Sequence, residues 1–406
     1  MTLGKGSWKQ VASALTLLFL FLPSVHAQTY HVFYKFKGKA DGQAPNGPLV
    51  QDSAGNLYGT TALGGMYSST VEGEGTIFKL DPSGNETILH VFSPFTPGPE
   101  GNAPGAGLYR DPAGNLYGTT SEGGTRSSGT VFKLDTANVL TTLYSFDGHA
   151  HGWSPNSRLI SFDGQLYGTT NLGGAGSYPG CGVIFRISPT TGNLRVLYKF
   201  TGGTDGCHPN GVIADSEGNL YGSTNSSQIS TNFGTVFKLD TAGTLTVLYT
   251  FTGGADGSQP EGRVIRDVNG NIHGTTYAGG SDTCDSGCGV VYRVAADGTE
   301  FSHPVTGGIQ GQFPIGGLLD MSGSLIGTTQ LGGKGCGVDF GFGCGVLFEI
   351  DNTGHYEVLH RFAGVSIRDG SEPVGDPILG LDGSIYGSTE DGGNLCGCGM
   401  IYKYTP

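Results

Sequence analysis

"GNLYGTT" occupies residues 55–61, the same seven letters return at 114–120, and "GNLYGST" follows at 218–224. Looser copies bring the total to seven, with anchor residues Tyr58, Tyr117, Tyr167, Tyr221, His273, Ile326 and Tyr386. The anchors recur at intervals of about 50–60 residues, longer than a β-helix coil and typical of a unit that buries its apolar faces only against its neighbours.

Working outward from the phrase, four β-type segments recur in each period. In the first copy they are "GPLVQD" (47–52), "NLYGTT" (56–61), "GTIFKLD" (75–81) and "ETILHVF" (86–92). "SAG" before Asn56 and "PSGN" after Asp81 separate them pairwise, and Gly and Asn tolerate the positive φ that short hairpin turns require. The third segment returns as "GTVFKLD" at 129–135 and 234–240, with apolar residues at adjacent positions, which suits strands covered on both faces. No amphipathic helix pattern of useful length is present. The pattern predicts an all-β fold, a seven-bladed β-propeller with four antiparallel strands per blade. The segment "YHVFYKF" (30–36) is of the fourth type without a blade, while "GMIYKY" (399–404) is of the third type without a fourth strand. The N-terminal strand is therefore expected to complete the last blade and close the ring, leaving no raw sheet edge at the seam.

The repeat, written "DG..P.G.L..D..GNLYGTT..GG....GTVFKLD..G....LYSF", resembles the GloVer (Gloeobacter/Verrucomicrobia-type) tandem repeat of exported bacterial proteins. The resemblance spans residues 30–406. It implies an extracytoplasmic propeller and supplies no catalytic residues.

Lys5 and Lys9 precede the apolar run "VASALTLLFLFLP" (11–23), and Val25-His26-Ala27 forms a small-residue cleavage signature. This reads as a signal peptide over 1–27, followed by a single propeller domain over 28–406. The run is shorter than the ~20 apolar residues of a membrane span, so no membrane insertion is expected of the mature form. Secreted or periplasmic localisation follows. Loss of 1–27 removes two lysines and no carboxylate, so the formal charge moves from −13 to −15. An acidic chain without a Lys/Arg-rich run excludes nucleic acid as the natural partner. Glycine, 75 of 406 residues, stands at fixed places between β-type segments and reads as turns and close packing rather than disorder. A monomer is expected.

Antiparallel connectivity sorts the loops. The links from fourth strand to next first strand and from second to third strand emerge on one face, and the two short turns on the other. The short-turn face is stereotyped, and the variable face is where binding is expected. One loop set there has the form acidic-Gly-x-x-Pro, from "DGQAP" (41–45) to "DGSEP" (369–373), with Gly and Pro in all seven copies and the acid in five. Turn geometry accounts for that pattern better than a calcium-ligand ring, and no cofactor or metal site is read.

The departures single out candidate ligand-binding residues. "DGHAHGWSPN" carries His149, His151 and Trp153, and the neighbouring loop carries His208. Their convergence would make a sugar-stacking or acid–base patch or, since His-x-His in extended backbone points both rings one way, a metal site; the plainer account is solvated polar side chains and one packed aromatic. Tyr178 and Tyr277 join them as stacking candidates, alongside Tyr67, Phe233, Phe340 and Phe342. Candidate acid–base carboxylates are Glu122, Glu261, Asp339, Glu372, Glu390 and Asp391.

Seven of eight cysteines fall in the second-to-third-strand loops. In an exported chain disulfides are expected, as Cys284–Cys288, Cys336–Cys344 and Cys396–Cys398, with Cys181 paired to Cys207. Zinc is the competing reading. These observations favour an extracellular binding or structural module whose partner is a polysaccharide or cell-surface glycan on the loop-bearing face. The alternative is a glycan-active hydrolase or lyase using His and carboxylates on that face. A purely structural envelope protein needs no site.

Overall fold

The computed structural model describes residues 1–2, 28–68, 71–94, 98–174, 179–226, 232–333, 343–364 and 368–406. Residues 3–27 of the expected leader, Tyr178, Cys336, Asp339, Phe340 and Phe342 lie outside the described residues. The chain folds into seven antiparallel sheets, each a four-strand blade. Blade 1 consists of Val50–Gln51, Leu57–Thr61, Thr76–Leu80 and Glu86–Val91. Blades 2 to 6 repeat this order, and in blades 3 and 5 the first strand is broken in two. Blade 7 takes Gly370–Pro373 with Ile378–Leu379, Ile385–Gly392 and Met400–Thr405 from one end of the chain and Thr29–Lys35 from the other. The two ends pair antiparallel, Tyr30 opposite Tyr404 and Val32 opposite Tyr402. Among the described residues the sole helix is the 3-10 turn Gly308–Gln310, and no helix is long and apolar enough to cross a membrane.

The core is not central. It consists of seven apolar clusters, each shared by two neighbouring blades. The third strand explains the arrangement, because side chains alternate across a strand. In Thr76–Leu80, Phe78 and Leu80 face the junction with blade 7, and Ile77 faces the junction with blade 2. Both faces are buried, and Lys79 alone is partly exposed.

One aromatic contact recurs at six of the seven junctions. The phenylalanine that ends a fourth strand meets, edge to face, the ring on the third strand of the next blade. The pairs are Phe36–Phe78, Phe92–Phe132, Phe146–Phe185, Phe200–Phe237, Phe251–Tyr292 and Phe362–Tyr402. Between blades 5 and 6 the fourth-strand position is Val305, also buried. The third-strand ring needs a floor, and the glycine of "LYG" is that floor. Gly59 lies opposite Phe78 across the ladder, and a Cβ there would sit 2.6 Å from the ring's Cζ. The recurring phrase is thus a ring seat.

The rest of the phrase builds the turn before it. Asp52 Oδ1 accepts the N–H groups of Ala54 and Asn56, while Oδ2 accepts Asn56 Nδ2 and the Tyr58 hydroxyl. Asp111 and Asp215 repeat the set with Tyr117 and Tyr221. These bonds outweigh the opposing effect of burial and hold the three carboxyls below their ordinary range.

Phe185 is wholly buried and packs on both Phe146 and Gly168. Phe185→Ala should cost about 3–5 kcal/mol, read as a lowered denaturant midpoint in urea titration.

Candidate functional site

The loop-bearing face is built by the acidic-Gly-x-x-Pro segments, and their geometry repeats in every blade. The acid closes its own loop: Asp205 Oδ2 accepts the Thr201 N–H and the Tyr198 hydroxyl, and Asp256 treats Thr252 and Tyr249 alike. In the copy that has His151 at this position, Asp147 takes over and bonds His151 Nδ1 at 2.7 Å. The proline has a different task. Pro209 of blade 4 rests on Gly182 of blade 3, where a Cβ would lie 2.7 Å from the proline Cδ. The same Gly–Pro contact seats every blade against the next.

Between them stands a residue in the left-handed region, and in none of the seven copies is it glycine. Ala44, Ala103, Ser154, His208, Gln259, Phe313 and Glu372 have φ between 53° and 61°. Each donates its N–H to a carbonyl of the preceding blade, on Cys398, Glu74, Ser128, Cys181, Phe233, Cys288 and Cys344 respectively. That bond holds a backbone conformation that costs a non-glycine residue about 1–2 kcal/mol. In a chain with 75 glycines, most of the positive-φ positions are glycine; this one keeps a side chain and varies it.

Across blades 4 to 7 three of these side chains, His208, Phe313 and Glu372, meet residues at the ends of second strands and form an arc. Tyr277 stacks on Phe313 with ring centroids 4.6 Å apart and planes 15° from parallel. Gln330, whose N–H bonds the Phe313 carbonyl, donates from Nε2 to Glu372 Oε2 at 3.2 Å. On the other flank Asn225 Nδ2 donates to Glu261 Oε1 at 2.6 Å. Burial pushes the Glu261 carboxyl up to about 7, against the lowering effect of that one bond. Glu390 is raised by burial and by the charges of Asp391 and Glu372, and Asp391 is raised by burial. The arc therefore combines an aromatic platform, planar amides and carboxyls that hold a proton above the usual carboxylate range.

The histidines are used separately. His149 and His151 both donate their backbone N–H to Asp147 Oδ1, and His149 is exposed. His208 is half-buried, bonds Ser226 Oγ through Nδ1 at 3.0 Å, and is lowered in pKa by burial. Trp153 is half-buried opposite Leu172. The two loops flank one and the same blade 3 loop: the His149 carbonyl accepts Gly174 N–H, and Cys207 is disulfide-bonded to Cys181. Among the described residues no three His, Cys, Asp or Glu side chains are grouped as metal ligands.

Two further disulfides, Cys284–Cys288 and Cys396–Cys398, stiffen the same face. Cys344 is also disulfide-bonded, and its expected partner Cys336 lies outside the described residues. Glu261 and Glu372 stand in the sequence as two of six candidate carboxylates, and the arc has no signature there, because the left-handed position has no common residue type to align on. The stereotyped turns of the opposite face likewise give no sign of a cavity. A cleft of about 410 Å³ opens there between blades 5 and 6, lined by His273, His303, Arg293 and Asp351 among others. His273 replaces the repeat's tyrosine and bonds Asp267 at 3.2 Å, so the departure at the anchor position was the available signal.

Two outcomes follow. Glu261 is protonated more readily in the folded chain than in the unfolded one, so its contribution to stability is present below its ordinary value of 4.5 and is lost as pH rises through about 7. The stability difference between wild type and Glu261→Gln, measured by urea titration at several pH values, should therefore move in favour of the variant across that window. The Cys181–Cys207 bridge spans a sequence separation of 26. Replacing both by serine should lower stability by about 3–4 kcal/mol, the loop-closure entropy returned to the unfolded chain.

With the geometry in place, the comparisons with known proteins concern the fold. The extracellular domain of BT4673 from B. thetaiotaomicron is similar at 15% identity and a TM-score of 0.53, over 90% of this chain and 40% of that one. PorZ, a surface component of the type-IX secretion system of Porphyromonas gingivalis, gives 13% identity and 0.49, over 90% of this chain and 47% of that one. The gluconolactonase XC5397 from Xanthomonas campestris gives 17% and 0.41, over 74% and 86%. No functionally curated protein matches the chain. The model of the Gloeobacter/Verrucomicrobia repeat matches residues 18–178 and 66–286, more than half of the chain. Sevenfold recurrence, seven four-stranded blades and that match agree: the chain belongs to the Gloeobacter/Verrucomicrobia repeat family.

Proposed function

We propose that this propeller is an exported, extracytoplasmic binding module whose loop-bearing face holds a glycan or another cell-surface ligand. The observation that supports it most directly is the arc across blades 4 to 7, where Tyr277 on Phe313 offers an aromatic face flanked by Gln330–Glu372 and Asn225–Glu261. A sugar ring presents apolar C–H groups on one side and hydroxyls around its rim. An aromatic platform binds the first, and fixed amide and carboxyl groups bind the second. Disulfides in the surrounding loops lower the ordering cost of binding. Leu63, Met66, Tyr67, Phe233 and Leu395, also in loops of this face, add exposed apolar surface for a larger partner.

A glycan-active hydrolase or lyase is the second reading. What favours it is Glu261, a half-buried carboxyl raised to about 7 and suited to general acid work at neutral pH.

A polysaccharide array read for both retention and product release separates the two. Retention without cleavage is the expected outcome, weakened roughly tenfold by Tyr277→Ala, the loss of about one stacking contact. New reducing or unsaturated ends that disappear in Glu261→Gln would replace the binding reading with the enzymatic one. Absence of both retention and product release on every glycan would remove both.

A further inference from the structure

Blades 3, 5 and 7 do not neighbour one another around the ring, so side chains from their first strands meet only on the axis. Three charged residues do so. Arg158 of blade 3 donates from Nε to the Leu108 carbonyl of blade 2 at 2.9 Å. Arg263 of blade 5 places Nε 3.7 Å from Asp376 Oδ2 of blade 7, and Asp376 Oδ1 accepts the Gly317 N–H at 2.6 Å. Burial first, and then the charge of Arg263, push the Arg158 guanidinium down to about 10, with Asp376 opposing. The corresponding positions in blades 1, 2, 4 and 6 are Pro48, Gly107, Gly211 and Gly317. Both arginines are thus departures from a small or apolar lining.

The charges do not balance: two guanidiniums face one carboxylate. Glu261, two residues before Arg263, is not the missing partner, because its carboxyl turns to Asn225 Nδ2 on blade 4. Arg263 Nε is buried and donates to no acceptor among the described residues, 3.7 Å being too long for a hydrogen bond. Among the described residues Arg158 has no ion-pair partner of its own, and a largely buried cation without a counter-charge is costly. The axis nevertheless admits small groups, since the Arg263 side chain is 24% exposed and that of Asp376 17%.

We propose that the axis of the ring carries an anion site, in which Arg158 and Arg263 together hold one small oxyanion of the sulfate or carboxylate type. Paired guanidiniums suit such a group, because each presents a planar fork of donors to its oxygens. Asp376 keeps Arg263 aimed at the axis and competes with the ligand for it. The site is separate from the loop-face arc and stands or falls independently of it.

The test is calorimetric titration of the full-length protein with sodium sulfate and with sodium glucuronate, against sodium chloride at equal ionic strength. Saturable binding of at least one oxyanion is expected; sulfate alone identifies a free inorganic ion as the occupant, glucuronate alone an acidic sugar. Arg263→Gln should weaken binding tenfold or more, the scale of a lost charge-assisted hydrogen bond. Asp376→Asn should tighten it about tenfold, because a competing carboxylate is gone. A residue that merely tied the blades together would not produce that gain. Should Arg263→Gln fail to fold, Arg158→Gln and Asp376→Asn decide in the same way. No binding by wild type, undiminished binding by the arginine variants, or weaker binding by Asp376→Asn overturns the proposal.

Discussion

Every blade of this protein depends on how it touches the next. The contact has two parts: at six of the seven junctions a phenylalanine from one blade is set against the third-strand ring of its neighbour, and at all seven a proline is pressed on a bare glycine at the loop face. Neither part works with an ordinary residue at the glycine position, since a Cβ opposite Phe78 or under Pro209 would overlap atoms already there. A sheet of four short strands has too little apolar area to persist alone, so burial is shared between blades. Edge-to-face ring pairs add about 0.5–1.5 kcal/mol each beyond that burial.

The same constraint shapes the candidate site. Because the αL residue is held by a backbone bond to the preceding blade, its conformation is independent of its side chain. Seven equivalent positions can then differ in chemistry without disturbing the ring. Alanine occupies two of them, while histidine, glutamine, phenylalanine and glutamate gather in blades 4 to 7. Asymmetry of this kind, on a backbone that is nearly symmetric, is how a repeat scaffold acquires a specific face. The paired arginines on the axis are a second instance, placed where three non-adjacent blades point inward.

Much of the architecture was legible before any coordinates. The period, the paired turns and the unbroken apolar runs of "TVFKL" led directly to seven antiparallel blades, because strand number and turn chemistry are local properties. The grouping of cysteines before the third strand was equally open to reading, and Cys181 with Cys207 shows how loop order alone predicted a partner. The imidazoles show the limit: His149, His151 and His208 share a face, yet His151 is engaged by Asp147 and His208 by Ser226. Which way a side chain turns within its loop is decided by the nearest acceptor, and sequence spacing does not contain it.

By itself the amino-acid sequence determined the number of blades, their strands and turns, the side on which the long loops emerge, and the glycines and prolines that make stacking possible. All of these follow from short-range rules of φ, ψ and alternation. Only the tertiary structure decided that Tyr277 lies flat on Phe313, that Gln330 reaches Glu372, and that Arg158, Arg263 and Asp376 face one another. Those residues are brought together by closure of the ring, a long-range event in which position around an axis, not distance along the chain, sets who is a neighbour.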